Sequence, residues 1–440
     1  MNFLNRFFLI SIFSIMITVF SSQAVEDSGV MDGIAEEYVK LVLKIGLYDG
    51  DFVDAYYGPP EWRPAEGEKQ DTFPHLVFND QLETLISRLN KIDDTHLSTI
   101  AQKRKMLLGK QLIAIQAKTN MIAGRKLSFN EESSLLYDAV APRRDRAHYD
   151  SLLSSLDSEL PGEGALSHRF EQFISKFVIP EARLNAVFQA AIAECRKRTL
   201  KYIPLPENEN FTVEYVTDKA WSGYNWFKGN SFSLIQLNTD LPIYIERAID
   251  LAAHEGYPGH HVFNVLLEQE LYLKRGWVEF SLYPLFSPQS LIAEGSANYG
   301  KEVVMSRDER LQFERAVLFP LAGLDPEKAE KYYSVLSIRK ALGYAGNEAA
   351  RDYLDGRMNA EQAVAWLIKY SLMSPEGAKQ RIKFIQKYRS YVINYNLGED
   401  IVRNHVEKNV GRKGSVEKRW QLFAELLAMP ETASYLEKKQ

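Results

Sequence analysis

The chain has 440 residues, 45% hydrophobic and 25% charged, with a formal net charge of −5. This balance suits a folded globular protein with ample apolar material for a large core and excludes extended disorder. Lys and Arg number 53 against 58 Asp and Glu, and no basic block is interleaved with aromatics, so nucleic acid is not an expected partner.

Asn5 and Arg6 precede the apolar run "FFLISIFSIMITVF", and Ser22 and Ala24 flank Gln23 before the acidic "VEDS". This is the pattern of a cleavable export signal over residues 1–24. The run is short for a spanning helix, no later stretch is apolar enough to be one, and no cysteine stands at the cleavage site to carry lipid. The expected product is exported, periplasmic or secreted, without a stable membrane anchor. Its one cysteine, Cys195 in "ECRKR", rules out an intramolecular disulfide, so stability must come from packing.

Residues 25–205 read as an N-terminal helical part. "IAEEYVKLVLKIGL", "FNDQLETLISRLNKI", "TIAQKRKMLLGKQLIAIQAKTNMI" and "EARLNAVFQAAIAECRKRTLKYI" repeat apolar residues at three and four, as antiparallel helical hairpins do. "DGDFVDAYYGPPEW" and "LPGEGALS" interrupt them with Gly and Pro and are expected as ordered loops. Residues 206–440 form a second part of the same globular unit. It begins with two β-like runs, "FTVEYVTD" and "SFSLIQLNTD", separated by "KAWSGYNWFKGN". In that separator Trp221, Tyr224 and Trp226 are equally suited to a cleft wall or to the core.

The next expected helix is "LPIYIERAIDLAAHEGY", capped by Thr239 or Asp240 with Pro242 in its first turn. It leads into "HEGYPGHH", His254 to His261, which holds three of the chain's eight histidines beside Glu255. In a straight helix His260 would point away from His254. His261 would share its face but lie about 10 Å further on. Zinc–imidazole bonds need the donor nitrogens within about 3 to 4 Å of each other. Pro258, with no N–H, and the permissive Gly256 and Gly259 predict a kink or bulge that absorbs the extra residues. On that geometry His254 and His260 are the first two metal ligands, although His260 and His261 could exchange roles. The third candidate is Glu294 in "LIAEGSANYG", on a helix that starts at Ser287-Pro288. Gly295 beside it would permit another backbone to approach closely.

The strings "HEGYPGHH" and "EGSANYG" resemble the H-E-x-x-P-G-H-H and E-G-x-A-x-Y hallmarks of the bacterial family called "domain of unknown function 885", of gluzincin-type zinc peptidases. The resemblance covers most of the exported chain. It implies a mainly α fold, a large multi-helix gluzincin-like domain with a thermolysin/neurolysin-like core and a small β-sheet beside the active-site helix. It also implies one zinc ion on His254, His260 and Glu294, with Glu255 as general base, and a peptide or other amide as substrate. His261, by its adjacency in sequence, and Tyr344, from the family segment that "RKALGYAGN" resembles, are the expected hydrogen-bond donors to the oxyanion. The strand "SFSLIQLN", with Asn238 near its end, is a candidate for pairing with an extended peptide. Arg339, Lys340 and Arg351 are candidates for a clamp on a substrate carboxylate. Ser296 and Asn298 stand where the family usually has Trp and Leu, and Ala345 where it has Lys.

Overall fold

The computed structural model describes residues 27–438 apart from position 220, so the expected export signal over residues 1–24 lies outside the described residues. The fold is mainly α with two small sheets. Among the described residues no helix is long and apolar enough to cross a membrane.

The first helix covers residues 27–46, followed by His75–Asn90 and Thr99–Ile122. Their apolar stripes meet in a compact core that includes Tyr38, Leu82, Leu112 and Leu282. The segment expected as a loop carries a strand, β1 (Val53–Tyr56). It pairs antiparallel with Leu282–Pro284, so strand formation here depends on a partner more than two hundred residues away. Arg104 fastens the same elements: it is 1% exposed and donates to both oxygens of Glu279 at 2.6 and 3.0 Å and to Asp32 at 2.6 Å.

A larger core draws on residues from Leu107 to Leu436, on both sides of position 205. Its second sheet contains β2 (Asn210–Val216), β3 (Gly223–Gly229) and β4 (Phe232–Asn238) in the order β2-β4-β3. β2 runs parallel to β4, and β3 runs antiparallel to it. Two expectations change here. Most of the aromatic separator is itself a strand, and "SFSLIQLN" is the central strand, with both edges already paired. The Leu282–Pro284 strand is β5.

The helix expected from Leu241 begins only at Glu246. Residues 243–245 are held instead against Phe177–Ile179 by backbone bonds, including Ile179 N–H to Ile243 O at 2.9 Å. Asp240 accepts from the Asp218 N–H at 2.8 Å and so closes a turn rather than capping a helix. The helix Pro288–Val304 starts where expected, with Pro288 at its first position. The Ser287 hydroxyl, however, donates back to Pro284 O at 2.7 Å. Gly295 meets Gly398 of the Ile393–Val410 helix, where a Cβ would fall 2.3 Å from the Gly398 carbonyl. A side chain on either glycine would force these two helices apart.

Candidate metal centre and substrate cleft

The extra residues of "HEGYPGHH" are absorbed in three steps. The Glu246–Leu251 helix widens into a π-turn over Ala252–Gly256, a cis Tyr257–Pro258 bond follows, and a new helix starts at His260. Gly259 is required at the restart, because a Cβ there would lie 1.9 Å from the His254 carbonyl oxygen.

This path brings the His254 and His260 Nε2 atoms to 3.1 Å from each other. Glu294 Oε2 completes a triangle, 3.2 Å from His254 Nε2 and 3.7 Å from His260 Nε2. Tetrahedral zinc with bonds near 2.0 Å separates its donors by about 3.3 Å, so the three atoms fit one ion. The carboxylate is aimed: Tyr391 donates to Glu294 Oε1 at 2.8 Å, leaving Oε2 buried and turned to the two imidazoles, with no well-formed hydrogen bond among the described residues. An orphaned buried carboxylate oxygen facing two imidazoles is what a bound cation would satisfy. Burial would raise the Glu294 carboxyl, but its contacts with His254 and His260 hold it far below the carboxylate range. Burial would depress the His260 imidazole, yet Glu294, with Glu255 and Asp54, pushes it up.

The donor atoms are oriented from behind. Asn298 Nδ2 donates to the Tyr395 carbonyl at 2.7 Å, which turns its Oδ1 toward His254 Nδ1 at 3.2 Å. The Nδ1–H of His254 can then donate to Asn298, leaving the Nε2 lone pair directed at the triangle. Asn298 therefore has a positioning part that its place in the motif did not announce. Ser296 is fully buried and donates to the Ala293 carbonyl, away from the cleft.

Glu255 also reaches the cluster, with a carboxylate and both imidazoles offering atoms within 4.8 Å of one another. Its side chain lies along β3, and a Cβ on Gly223 would come 2.8 Å from Glu255 Oε1. The shorter contacts and the unmatched oxygen of Glu294 make Glu294 the better third donor and leave Glu255 beside the triangle. Burial pushes the Glu255 carboxyl up, against the pull of His254 and His260.

These groups open on a cavity of about 940 Å³. One wall is β3, an edge strand, with Gly223, Tyr224 and Asn225 facing the cavity. Arg381, Tyr388 and Tyr395 line the cavity too. Asp54 of β1 lines it as well, bonded to the Tyr224 hydroxyl. Burial raises the Asp54 carboxyl to about 7, against the lowering effects of that bond and of His260. Sequence reasoning passed over Asp54, whose only signal was an acid-rich, aromatic loop. It also passed over Arg381 and Tyr395, on the helices Pro375–Tyr388 and Ile393–Val410, and Tyr391, in the short turn between them.

Two expected catalytic groups are elsewhere. His261 is fully buried on the side of the sheet: Ser233 Oγ lies 2.9 Å from its Nδ1, and Glu209 Oε2 lies 3.1 Å from its Nε2. Neighbouring helical residues diverge by about 100°, so with His260 facing the cleft His261 must face the core. Tyr344 donates to Asp400 at 2.6 Å and does not line the cavity. Ala345 is buried beneath Trp366, whose Nε1–H donates to its carbonyl. Of the three clamp candidates, Lys340 bonds Glu302 and Glu399, and Arg351 is buried against Glu348. Only Arg339 reaches the cleft. Trp221 and Tyr224 line it, whereas Trp226 donates to Gln236 on the sheet. Asn238 lines it too, but its amide is committed to the Lys219 and Trp221 carbonyls.

No protein-family description and no curated protein matches the chain. Among the solved structures that resemble it are these three. A candidate lipoprotein from Colwellia psychrerythraea is 13% identical, with a TM-score of 0.49, over 82% of this chain and 66% of that one. A candidate lipoprotein of unknown function from Shewanella oneidensis is 14% identical, with a TM-score of 0.47, over 83% and 72%. Trypanosoma cruzi metallocarboxypeptidase 1 is 13% identical, with a TM-score of 0.43, over 95% and 98%. Likenesses of this degree assign neither an activity nor a ligand to this chain.

Proposed function

We propose that this chain is an exported zinc-dependent hydrolase of amide bonds, a metallopeptidase with one zinc ion on His254, His260 and Glu294. The observation that carries this reading is the donor triangle of 3.1, 3.2 and 3.7 Å, closed by a buried carboxylate oxygen that faces the two imidazole nitrogens. Two imidazoles and a carboxylate with room for a further ligand form a donor set of catalytic zinc. Zinc held there would supply a Lewis acid beside the scissile carbonyl and lower the pKa of a water toward neutrality.

The remaining work belongs to the chain. Glu255 takes a proton from the attacking water and delivers it to the leaving nitrogen, a transfer eased by a carboxyl that burial has already raised. With His261 and Tyr344 out of reach, the oxyanion donor in this reading is Tyr395. It lines the cavity, and burial holds its hydroxyl well above its ordinary value, hence protonated. The edge of β3 offers backbone groups to an extended substrate. The "HEGYPGHH" and "EGSANYG" strings support the same assignment, and the N-terminal export pattern supports its location.

The test is elemental analysis of the mature protein beside His254→Ala and Glu294→Ala, followed by peptide hydrolysis with and without chelator. Near-stoichiometric zinc lost in both variants, with hydrolysis that chelation abolishes, is the expected result. Folded protein that stays metal-free in excess zinc would overturn it.

A further inference from the structure

Among the described residues the cavity is lined by a guanidinium, that of Arg381, whose Nε is buried without an acceptor. Arg381 sits on the helix Pro375–Tyr388, whose Gly377, Arg381, Phe384 and Tyr388 line the cleft at one-face spacing. Among the described residues no carboxylate lies within ion-pair distance of Arg381, and its Nε is buried without a hydrogen-bond acceptor. The guanidinium rests 4.8 Å over the Phe384 ring. Burial lowers its pKa.

Of the other cleft cations only Arg247 has a carboxylate within ion-pair distance, but among the described residues none of them has a buried nitrogen left without a partner. Arg247 pairs with Asp250 at 3.7 Å and donates to Ser222. Lys301 lies in the fields of Asp250 and Glu399. Arg339 stands over Phe170 and acts on Glu246. A half-buried guanidinium whose Nε is sealed from water without an acceptor is costly unless an anion arrives, and its planar geometry matches a carboxylate in a bidentate pair.

Its position says which carboxylate. Arg381 and Tyr395 line the same cleft as His254, Glu255, His260 and Glu294, so a carboxylate held by Arg381 shares one cavity with the reacting groups. Leu372, Met373 and Phe384 line that cavity too and provide apolar surface for a side chain.

We propose that Arg381 binds the terminal carboxylate of the substrate, so that this chain removes the last residue of peptides or N-acylated amino acids with a free C-terminus, preferring an apolar one. The inference rests on the hydrolase reading above and gives it a substrate class. Water adds across the final amide bond: its oxygen joins the acyl carbon, the C–N bond breaks, and the proton taken by Glu255 goes to the nitrogen. The products are a shortened carboxylate and a free amino acid whose own carboxylate remains on Arg381.

The experiment separates binding from turnover. Zinc-loaded Glu255→Gln protein is titrated with acetyl-Ala-Ala-Phe and with its C-terminal amide, in the presence of Arg381 and of Arg381→Gln. We expect the free acid to bind tighter than the amide by on the order of tenfold to a hundredfold, as a bidentate charged pair gives. That advantage should vanish in Arg381→Gln with zinc content and melting temperature unchanged. Equal affinity for acid and amide, no binding of either, or an advantage that survives in Arg381→Gln but disappears in Lys301→Gln would overturn the proposal. Turnover by the wild-type protein tests the underlying reading separately. Discrimination in binding without hydrolysis of either peptide would leave the carboxylate site standing and sink the hydrolase. Equal hydrolysis of both would do the reverse.

Discussion

Two glutamates meet histidines of the same motif and end in opposite conditions. Glu209 is fully matched: Arg196 donates to one oxygen at 2.5 Å, Tyr257 to the other at 2.6 Å, and His261 stands 3.1 Å away with Ser233 at its far nitrogen. Glu294 has one oxygen held by Tyr391 and the other turned, unmatched, toward two imidazoles. The first arrangement is closed and stabilises the fold, since every buried polar atom has its partner. The second is open and has capacity left for a ligand. The difference between a structural and a chemical histidine is therefore visible in what remains unsatisfied around it, more than in burial, which both glutamates share.

The sharpest way to break this comparison is to open the chemical side. Glu294→Ala should take zinc from about one equivalent to near none by elemental analysis, because two imidazoles alone leave a catalytic site a ligand short. Glu255→Gln should keep its zinc while single-turnover hydrolysis falls on the order of 10²- to 10⁴-fold, the usual worth of a positioned base. Asn298→Ala and Tyr391→Phe remove only orienting bonds, so competition with a chelator should report metal affinity about 10- to 100-fold weaker with the fold intact.

The closed side should respond differently. Glu209→Gln should cost about 1–3 kcal/mol in denaturant unfolding while zinc stoichiometry stays at the wild-type level; metal loss in this variant would erase the distinction drawn above. Burial would raise the Glu209 carboxyl, but hydrogen bonds from His261, Tyr257 and Arg196 bring it below its ordinary value. Its contribution is therefore present above the unfolded pKa of about 4.3 and lost as pH falls through the depressed folded value. Glu209→Gln should accordingly flatten acid unfolding below about pH 4.3. The smallest effect belongs to Gly223→Ala, which should nudge the flexible Glu255 carboxylate and lower kcat by a few-fold.

Much of the centre is legible in the sequence because its causes are local. Pro258 and two glycines announce the break, and the glycine beside Glu294 announces a close helix contact. The rest depends on partners the sequence does not put side by side. β1 exists because β5 lies next to it, and the separator "KAWSGYNWFKGN" becomes a strand because β4 offers an edge. The choice between His260 and His261 rests on which flank of a restarted helix meets Ser233 and Glu209. Arg381 has the same surroundings in sequence as any helix arginine. Only the folded wall shows that no acid answers it.

The Gly295–Gly398 crossing also bears on when the site can come into being. Tyr391 and the Tyr395 carbonyl, which aim Glu294 and Asn298, sit at the head of the helix that crosses there, 97 residues downstream of Glu294. A growing chain therefore carries both histidines and the glutamate well before it carries the groups that point them. Metal capture is expected to follow, not guide, the docking of the last helices, because such distant contacts form late. Zinc supplied from the start of refolding should leave the rate of that docking unchanged and raise only the stability of the finished protein.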